Sequence, residues 1–319
     1  MPPVLKNAAR ERVIVTGICG NLGKNTARML HREMEVIGID NRDFQDLPGD
    51  IIQYKMDIRR RRSRDIFRKS RAGAVVHLGV SYDERRKRVG MHSWNLEVFS
   101  SILQFISDYR ISKLVLLSNA SVYGPHPDNP RFLSEDHPLY GAERFHQIRD
   151  IVEIDMLAQS SFWRNPDCGL VILRPANIVG SVINPLMSYL SLRTPPTCLG
   201  FDPMIQLTHE KDVARAIALA LKPGIKGVFN IAGAGQMPLS RLLKQLGRKP
   251  VALPSSILKR ISSLTKKFKL GNIVPGEINY LKHSCMVDTE RAENILGFRP
   301  EHDIKSCIEA VTENALWTS

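Results

Sequence analysis

The stretch Arg12–Gly23, RVIVTGICGNLG, decides the fold. Arg12 to Thr16 read as a short strand, because its β-branched side chains fit a pleated, buried surface. A glycine-rich turn follows, and Leu22 to Arg32 has the apolar spacing of a helix. Strand, turn and helix in that order are the setting in which a dinucleotide pyrophosphate meets a helix N-terminus. Glycines at 17, 20 and 23 permit the tight turn and a close approach of the backbone. The spacing is G-x-x-G-x-x-G. A P-loop reading fails, since Ile18 stands where the upstream glycine belongs and Asn25 follows Lys24.

Further strands are predicted at Glu35–Ile39, Ile51–Lys55, Ala74–Leu78, Lys113–Leu117 and Leu170–Arg174. Helical patterns lie over Asn95–Tyr109 and Arg144–Leu157. Continuous apolar strands alternating with helices mean βαβ units and a parallel sheet buried on both faces. The expected class is therefore α/β, a doubly wound parallel sheet of the Rossmann type. From about Asn177 the chain is richer in Pro and Gly and less regular, as expected of a second lobe. Asp40 ends the second strand, 23 residues after Gly17. A carboxylate there accepts from both ribose hydroxyls and repels a 2′-phosphate, which favours NAD over NADP. Arg42 is a counter-argument.

The 319 residues carry 45 basic and 32 acidic side chains, a net charge of +13. Seven arginines and Lys69 lie between Arg59 and Arg71 against Asp65 alone, a net of +7. Five further cations lie between Ser255 and Leu270. The first run reads as a solvated helix face or a polyanion site. In the second, Ile257, Leu258, Ile261, Leu264 and Phe268 recur at helical spacing. That stripe fits docking on its own lobe, or weak contact with an anionic membrane through residues 255–270. Neither run has the aromatic interleaving of a nucleic-acid reader, so no nucleic-acid partner is expected. No apolar run reaches the ~18 residues of a membrane span. The first twelve residues lack a secretory core, and a cytoplasmic protein is expected. The five cysteines are scattered with no C-x-x-C pair, and no metal site is expected.

Several motifs in order resemble the extended short-chain dehydrogenase/reductase family, in its NAD-dependent sugar epimerase/dehydratase branch. TGICGNLG resembles the family's TGxxGxxG, and Asp57-Ile58 its adenine-binding pair. Leu78, Gly79 and Val80 lie in a segment similar to HLAA, and Asn95 matches the helix asparagine. Ser121–Gly124 matches the VYG signature, Arg174–Asn177 the RPxN, and Asp288–Arg291 the tail motif. The resemblance implies an NAD cofactor contacted by Gly17, Gly20, Asn21, Leu22, Gly23, Asp40, Asn41, Asp57, Ile58, Leu78, Gly79, Val80, Asn95 and Ala176. Asn177 is the implied substrate residue. Residues 1–177 would form the NAD-binding domain, with 205–232 returning to it. Residues 178–319 would form mainly the smaller C-terminal α/β substrate lobe. A homodimer through two long helices is also implied, with a sugar nucleotide or related hydroxylated small molecule as substrate.

The reacting groups depart from the family. Its Tyr-x-x-x-Lys pair and nearby Ser/Thr take a substrate proton while hydride leaves for nicotinamide. The hydroxyl position here is Asn119, which hydrogen-bonds but cannot shuttle a proton. Two registers stay open for the pair. Tyr140–Arg144 keeps the tyrosine. Phe145–Arg149, followed by Glu153, keeps the spacing to Arg174 but removes the base. Arginine replaces lysine in both. The candidate catalytic set is Asn119, Tyr140, Phe145 and Arg149. The expected function is an NAD-dependent epimerase/dehydratase-like protein working by hydride transfer. The alternative is a catalytically degenerate NAD-binding protein with a structural or sensing role.

Overall fold

The computed structural model describes residues 10–44, 46–78, 88–141, 148–268 and 278–316, with no side chains given for 88–93, 262–268 and 314–316. A seven-stranded sheet forms the centre. Its strands are β1 (Arg12–Thr16), β2 (Glu35–Asp40), β3 (Ile52–Lys55), β4 (Ala74–His77), β5 (Lys113–Leu117), β6 (Gly169–Pro175) and β11 (Gly227–Ile231). Their order is β3-β2-β1-β4-β5-β6-β11, and every pairing is parallel. The order reverses between β1 and β4. A crevice at that switch point, above the strand C-termini, is where such sheets bind ligands.

Alternation along β1 explains the two layers. Val13 and Val15 enter one core with Val76 and Val115, while Ile14 enters the other with Val75 and Leu114. Helices α1 (Asn21–Leu30) and α6 (Glu210–Ala220) supply Ala27, Leu30, Val213 and Ile217 to the first. Helices α2 (Arg61–Ser70), α3 (Arg88–Asp108) and α4 (Arg149–Arg164) supply Phe67, Ile102 and Ile154 to the second. The helix predicted at Arg144–Leu157 runs to Arg164, seven residues beyond its expected end. It stops at Asn165 because Pro166 excludes its predecessor from the helical region.

The second lobe is built from two-stranded pairs. They are β7 (Ile178–Val179) with β10 (Thr208–His209), β9 (Met204–Gln206) with β12 (Gln236–Pro238), and β8 (Pro196–Cys198) with β13 (Val251–Leu253). Helices α5 (Pro185–Ser191), α7 (Leu239–Gln245), α8 (Ser255–Phe268) and α9 (Ile304–Leu316) accompany them. Leu258 of the basic helix α8 is fully buried in this lobe's core, while Ile257 is exposed. Among the described residues no helix is long and apolar enough to cross a membrane.

A buried polar network joins the sheet to the loops above it. Arg174 at the end of β6 donates from Nη2 and Nε to Asp155 of α4, at 2.7 and 3.0 Å. Ser118, just past β5, donates to the same carboxylate at 2.6 Å. The Arg174 Nη1 donates to the Tyr123 hydroxyl and the Glu135 carbonyl. Tyr123 in turn donates to Asn230 on β11. Asn230 donates its backbone N–H to the Glu135 carboxylate and its amide to the Leu133 carbonyl. Burial raises the Tyr123 pKa to about 12, keeping it a neutral donor.

Two tests follow from burial. Asp155→Ala leaves Arg174 charged and unpaired, at a cost of about 3–5 kcal/mol. Arg68→Ala, which breaks only an exposed pair with Asp65, costs under about 1 kcal/mol. Urea unfolding reads both. His77 is buried, and burial lowers its pKa from 6.5 to about 4. His209 is lowered similarly, by burial first and then by His302 and Lys211. A histidine that resists protonation only when folded stabilises the unfolded chain in acid. Stability is then intact above pH 6.5 and falls between 6.5 and 4. Each contributes up to about 1.4 kcal/mol per pH unit. His77→Gln reduces that slope in pH-dependent unfolding.

Candidate NAD and substrate site

The glycine turn closes at the C-terminal end of β1. Gly17 has φ +80° and donates its N–H to the Ile39 carbonyl at 3.0 Å. A Cβ on Gly23 would lie 2.4 Å from the Gly17 oxygen and 2.7 Å from the Ile18 oxygen. Only glycine lets α1 start this close to the turn. Gly20 caps α1 without a side-chain hydrogen bond, and the first turn holds no acid. The amides of Asn21, Leu22 and Gly23 have no intrahelical acceptor, and the helix dipole places partial positive charge there. This is a cradle for a pyrophosphate. The Asn21 side chain points elsewhere, donating to the Ser181 carbonyl in the loop after β7. Ser181 in turn donates to Glu210 at the start of α6. Leu22 packs against the core.

Asp40 is buried at the end of β2. One carboxylate oxygen accepts from Cys19 N–H at 3.0 Å and Arg42 Nη2 at 3.3 Å. The other accepts from Arg42 N–H at 3.0 Å and Arg42 Nε at 3.2 Å. The Arg42 side chain is 61% exposed and lies over the carboxylate where a ribose would dock. Asn41 beside it is exposed. Asp57 carries a second clamp, accepting from Arg59 N–H and guanidinium and from Trp94 Nε1. Burial opposes its ionisation, but those donors outweigh it and hold the pKa at about 2. Ile58 is buried next to it. Asn95 is buried and donates to Asp150 of α4 at 2.6 Å. Leu78 follows β4, its Cβ 3.6 Å from where a Gly17 Cβ would stand. Ala176 is buried, and its N–H donates to Ile231 at 2.7 Å.

The reacting end lies past β5. Asn119 caps the 3-10 turn Ala120–Tyr123, its side-chain oxygen accepting from Ser121 N–H at 2.8 Å. Among the described residues its amide N–H groups have no acceptor. Gly141 is pressed onto this turn: a Cβ there would lie 2.7 Å from the Ser121 oxygen and 2.8 Å from that of Val122. The close approach fixes Tyr140 at the rim of the turn, 47% exposed, its ring 6.3 Å from that of His126. Arg149 is exposed and donates to Glu153 one helical turn on at 2.6 Å. Asn177 donates its amide to the Gln206 carbonyl at 2.9 Å, joining the two lobes. Gly79, Val80 and Phe145 lie outside the described residues, as does Arg144.

Residues 13–232 match the model of the NAD dependent epimerase/dehydratase family. The chain belongs to that family. An uncharacterised protein of Mycobacterium tuberculosis is 28% identical over 300 residues, covering 91% of this chain and 80% of that protein. The UDP-glucose 4-epimerase of Thermotoga maritima, solved with UDP-glucose, superposes with TM-score 0.76 at 19% identity, covering 96% and 99% of the two chains. The dTDP-glucose 4,6-dehydratase of Bacillus anthracis, solved with NAD, gives 0.74 at 16%, covering 97% of each. At these identities the two structures establish the doubly wound fold. Family membership makes NAD the cofactor, and the turn fits it, with a glycine cradle that a Cβ would fill and an uncapped helix start.

Two side chains and a cleft near the site carried no clear signal in the sequence. Arg42 was visible only as a neighbour of Asp40, and Trp94 reaches Asp57 from another element. A cleft lined by His126, Arg131, Lys282 and His283 is assembled from segments about 150 residues apart. A larger cleft of about 590 Å³ between α7 and α9 is lined by no residue of the glycine turn. Its Arg241 and Lys305 are matched by Glu309 and Glu313, so it presents no excess of one charge.

Gly23→Ala is expected to abolish NAD-induced thermal stabilisation. Asp40→Ala weakens NAD about tenfold or more, the scale of a hydrogen bond to a charged acceptor. Arg42→Ala removes only a solvent-exposed pair and leaves NAD affinity equal or up to about fivefold tighter. Calorimetric titration distinguishes the three.

Proposed function

We propose that the chain is an NAD-dependent epimerase or dehydratase that oxidises a hydroxyl-bearing carbon of a sugar nucleotide or related ligand. Bound NAD would supply the hydride acceptor. In its tyrosinate form Tyr140 would take the proton from the substrate hydroxyl and become the neutral phenol, as the carbon-bound hydrogen leaves with its electron pair for the hydride acceptor. Asn119 donates an amide N–H to the same substrate oxygen, orienting it without exchanging a proton. The turn from Ala120 to Tyr123 forms the wall against which the ligand rests. The observation that supports this reading is the contact of Gly141 with the Ser121 and Val122 carbonyls, which sets Tyr140 against the turn that Asn119 caps.

A second reading has its own support: a protein that binds NAD without turnover. The Asn119 oxygen is spent on the Ser121 N–H, and Arg149 is held by Glu153. The homodimer remains a proposal. It is supported by Met156 and Trp163, one heptad apart on α4 and 57% and 84% exposed, since an apolar stripe on a surface helix favours a partner.

Turnover is measured on UDP-glucose and dTDP-glucose, the sugar nucleotides named with the two structural neighbours. Tyr140→Phe is expected to lower kcat about a hundredfold or more while the NAD dissociation constant stays unchanged. Equal turnover in that variant removes Tyr140 from the mechanism. NAD-dependent stabilisation with no turnover on any sugar nucleotide establishes the second reading.

A further inference from the structure

The arginine run is displayed on a fixed support. Helix α2 turns Ser63, Ile66, Phe67 and Ser70 inward, at the i, i+3, i+4, i+7 spacing of one helix face, and Phe67 is fully buried. The opposite face is turned to solvent. From Arg59 to Arg71 it carries seven arginines and Lys69 against Asp65. Three of these cations are paired: Arg59 with Asp57 and Glu97, Arg64 with Asp108, and Arg68 with Asp65. Among the described residues Arg60, Arg61, Arg62, Lys69 and Arg71 have no carboxylate partner, and all five are exposed.

Helix stability accounts for only part of this charge. Lys69 lies in the last turn and Arg71 follows it, where the dipole favours cations. Arg60, Arg61 and Arg62 take the N-cap and first two positions, where the dipole disfavours them and no acid offsets them. Their mutual repulsion adds to that cost, and an external anionic surface relieves both.

An apolar edge adjoins these cations. Among the described residues β3 pairs only with β2 and forms the outer strand of the sheet. Ile52 and Tyr54 stand in register with Ile37 and Ile39, whose side chains enter the core that α2 covers. Ile52 and Tyr54 therefore lie on the side of the sheet that carries α2, and they are 55% and 38% exposed. The strand ends at Lys55, and the unpaired cations begin at Arg60.

We propose that the α2 face and the adjoining β3 edge dock the protein on a bilayer of anionic phospholipid. Lipid phosphates accept from Arg60, Arg61, Arg62 and Lys69, while Ile52 and Tyr54 meet the boundary between headgroups and acyl chains. A nucleic-acid duplex offers phosphates but no apolar layer to take Ile52 out of water, and a second copy of this face repels the first. The other basic stretch, residues 255–270, uses Leu258 in the core of its own lobe. The docking surface is independent of the redox reading.

The test is co-sedimentation of the full chain with vesicles of phosphatidylcholine alone and of phosphatidylcholine mixed with phosphatidylglycerol. The protein binds the mixed vesicles and not the neutral ones, and binding weakens as salt rises above about 0.1 M. Arg60→Gln, Arg61→Gln and Arg62→Gln combined weaken it about a hundredfold, the scale of three cations near an anionic surface. Ile52→Ser weakens it about fivefold. Lys259→Gln with Arg260→Gln, on α8, leaves it unchanged. A cooperative thermal transition in each variant shows that it is folded. Failure of the wild type to bind mixed vesicles at low salt overturns the proposal, as does equal binding by the triple variant. Loss of binding on neutralising α8 alone overturns it in favour of that helix. Binding to a DNA duplex without binding to vesicles overturns it in favour of a nucleic acid.

Discussion

The rest of the site depends on the ion pair between Arg174 and Asp155, fully buried between β6 and α4. A charge pair in that position is costly to desolvate, and it persists because its donors and acceptors are satisfied. Asp155 accepts from Arg174, Ser118 and Gln159. Arg174 in turn holds the Tyr123 hydroxyl and the Glu135 carbonyl. One guanidinium thus fixes the end of β5, the 3-10 turn, the loop before Tyr140 and, through Asn230, β11. The position of Asn119 and Tyr140 is a consequence of this buried network more than of their own contacts.

At the other end of the crevice buried or half-buried carboxylates are held by arginines that reach solvent. Asp40 and Asp57 each carry an arginine two residues downstream, folded back on the carboxylate. Exposed pairs of this kind contribute little to stability. Arg42 covers the Asp40 carboxylate, and Arg59 with Trp94 holds Asp57 ionised. Arg42 is an exposed partner of Asp40, where the sequence alone presented it as an argument against NAD.

Much of the fold was legible because the signals were local. The β-branched run before Gly17, the three glycines and Asp40 at the end of the next strand each act within a few residues of themselves. The helix α4 was placed with its end too early, since the stop is set by Pro166 rather than by the apolar pattern. The cofactor half was legible in outline. The roles of its polar side chains were less so: Asn21 and Asn95 bond to Ser181 and Asp150, partners about 160 and 55 residues away. The cationic cleft was illegible for the same reason. Its walls are about 150 residues apart in sequence and are brought together by the packing of Tyr280 and Cys285 on the 3-10 turn and by the Asn129 amide.

The central claim is that bound NAD runs from the glycine turn to the Asn119–Tyr140 rim. A crystal structure of the NAD complex tests it most directly. The account predicts the pyrophosphate on the amides of residues 21–23, the adenosine ribose on Asp40 with Arg42 displaced, and nicotinamide between Asn119 and Tyr140. The substrate pocket beside the ring would then place a ligand hydroxyl within about 3 Å of the Tyr140 oxygen. A nicotinamide turned away from Tyr140, or a ring packed against an apolar wall with no hydroxyl in reach, would contradict it.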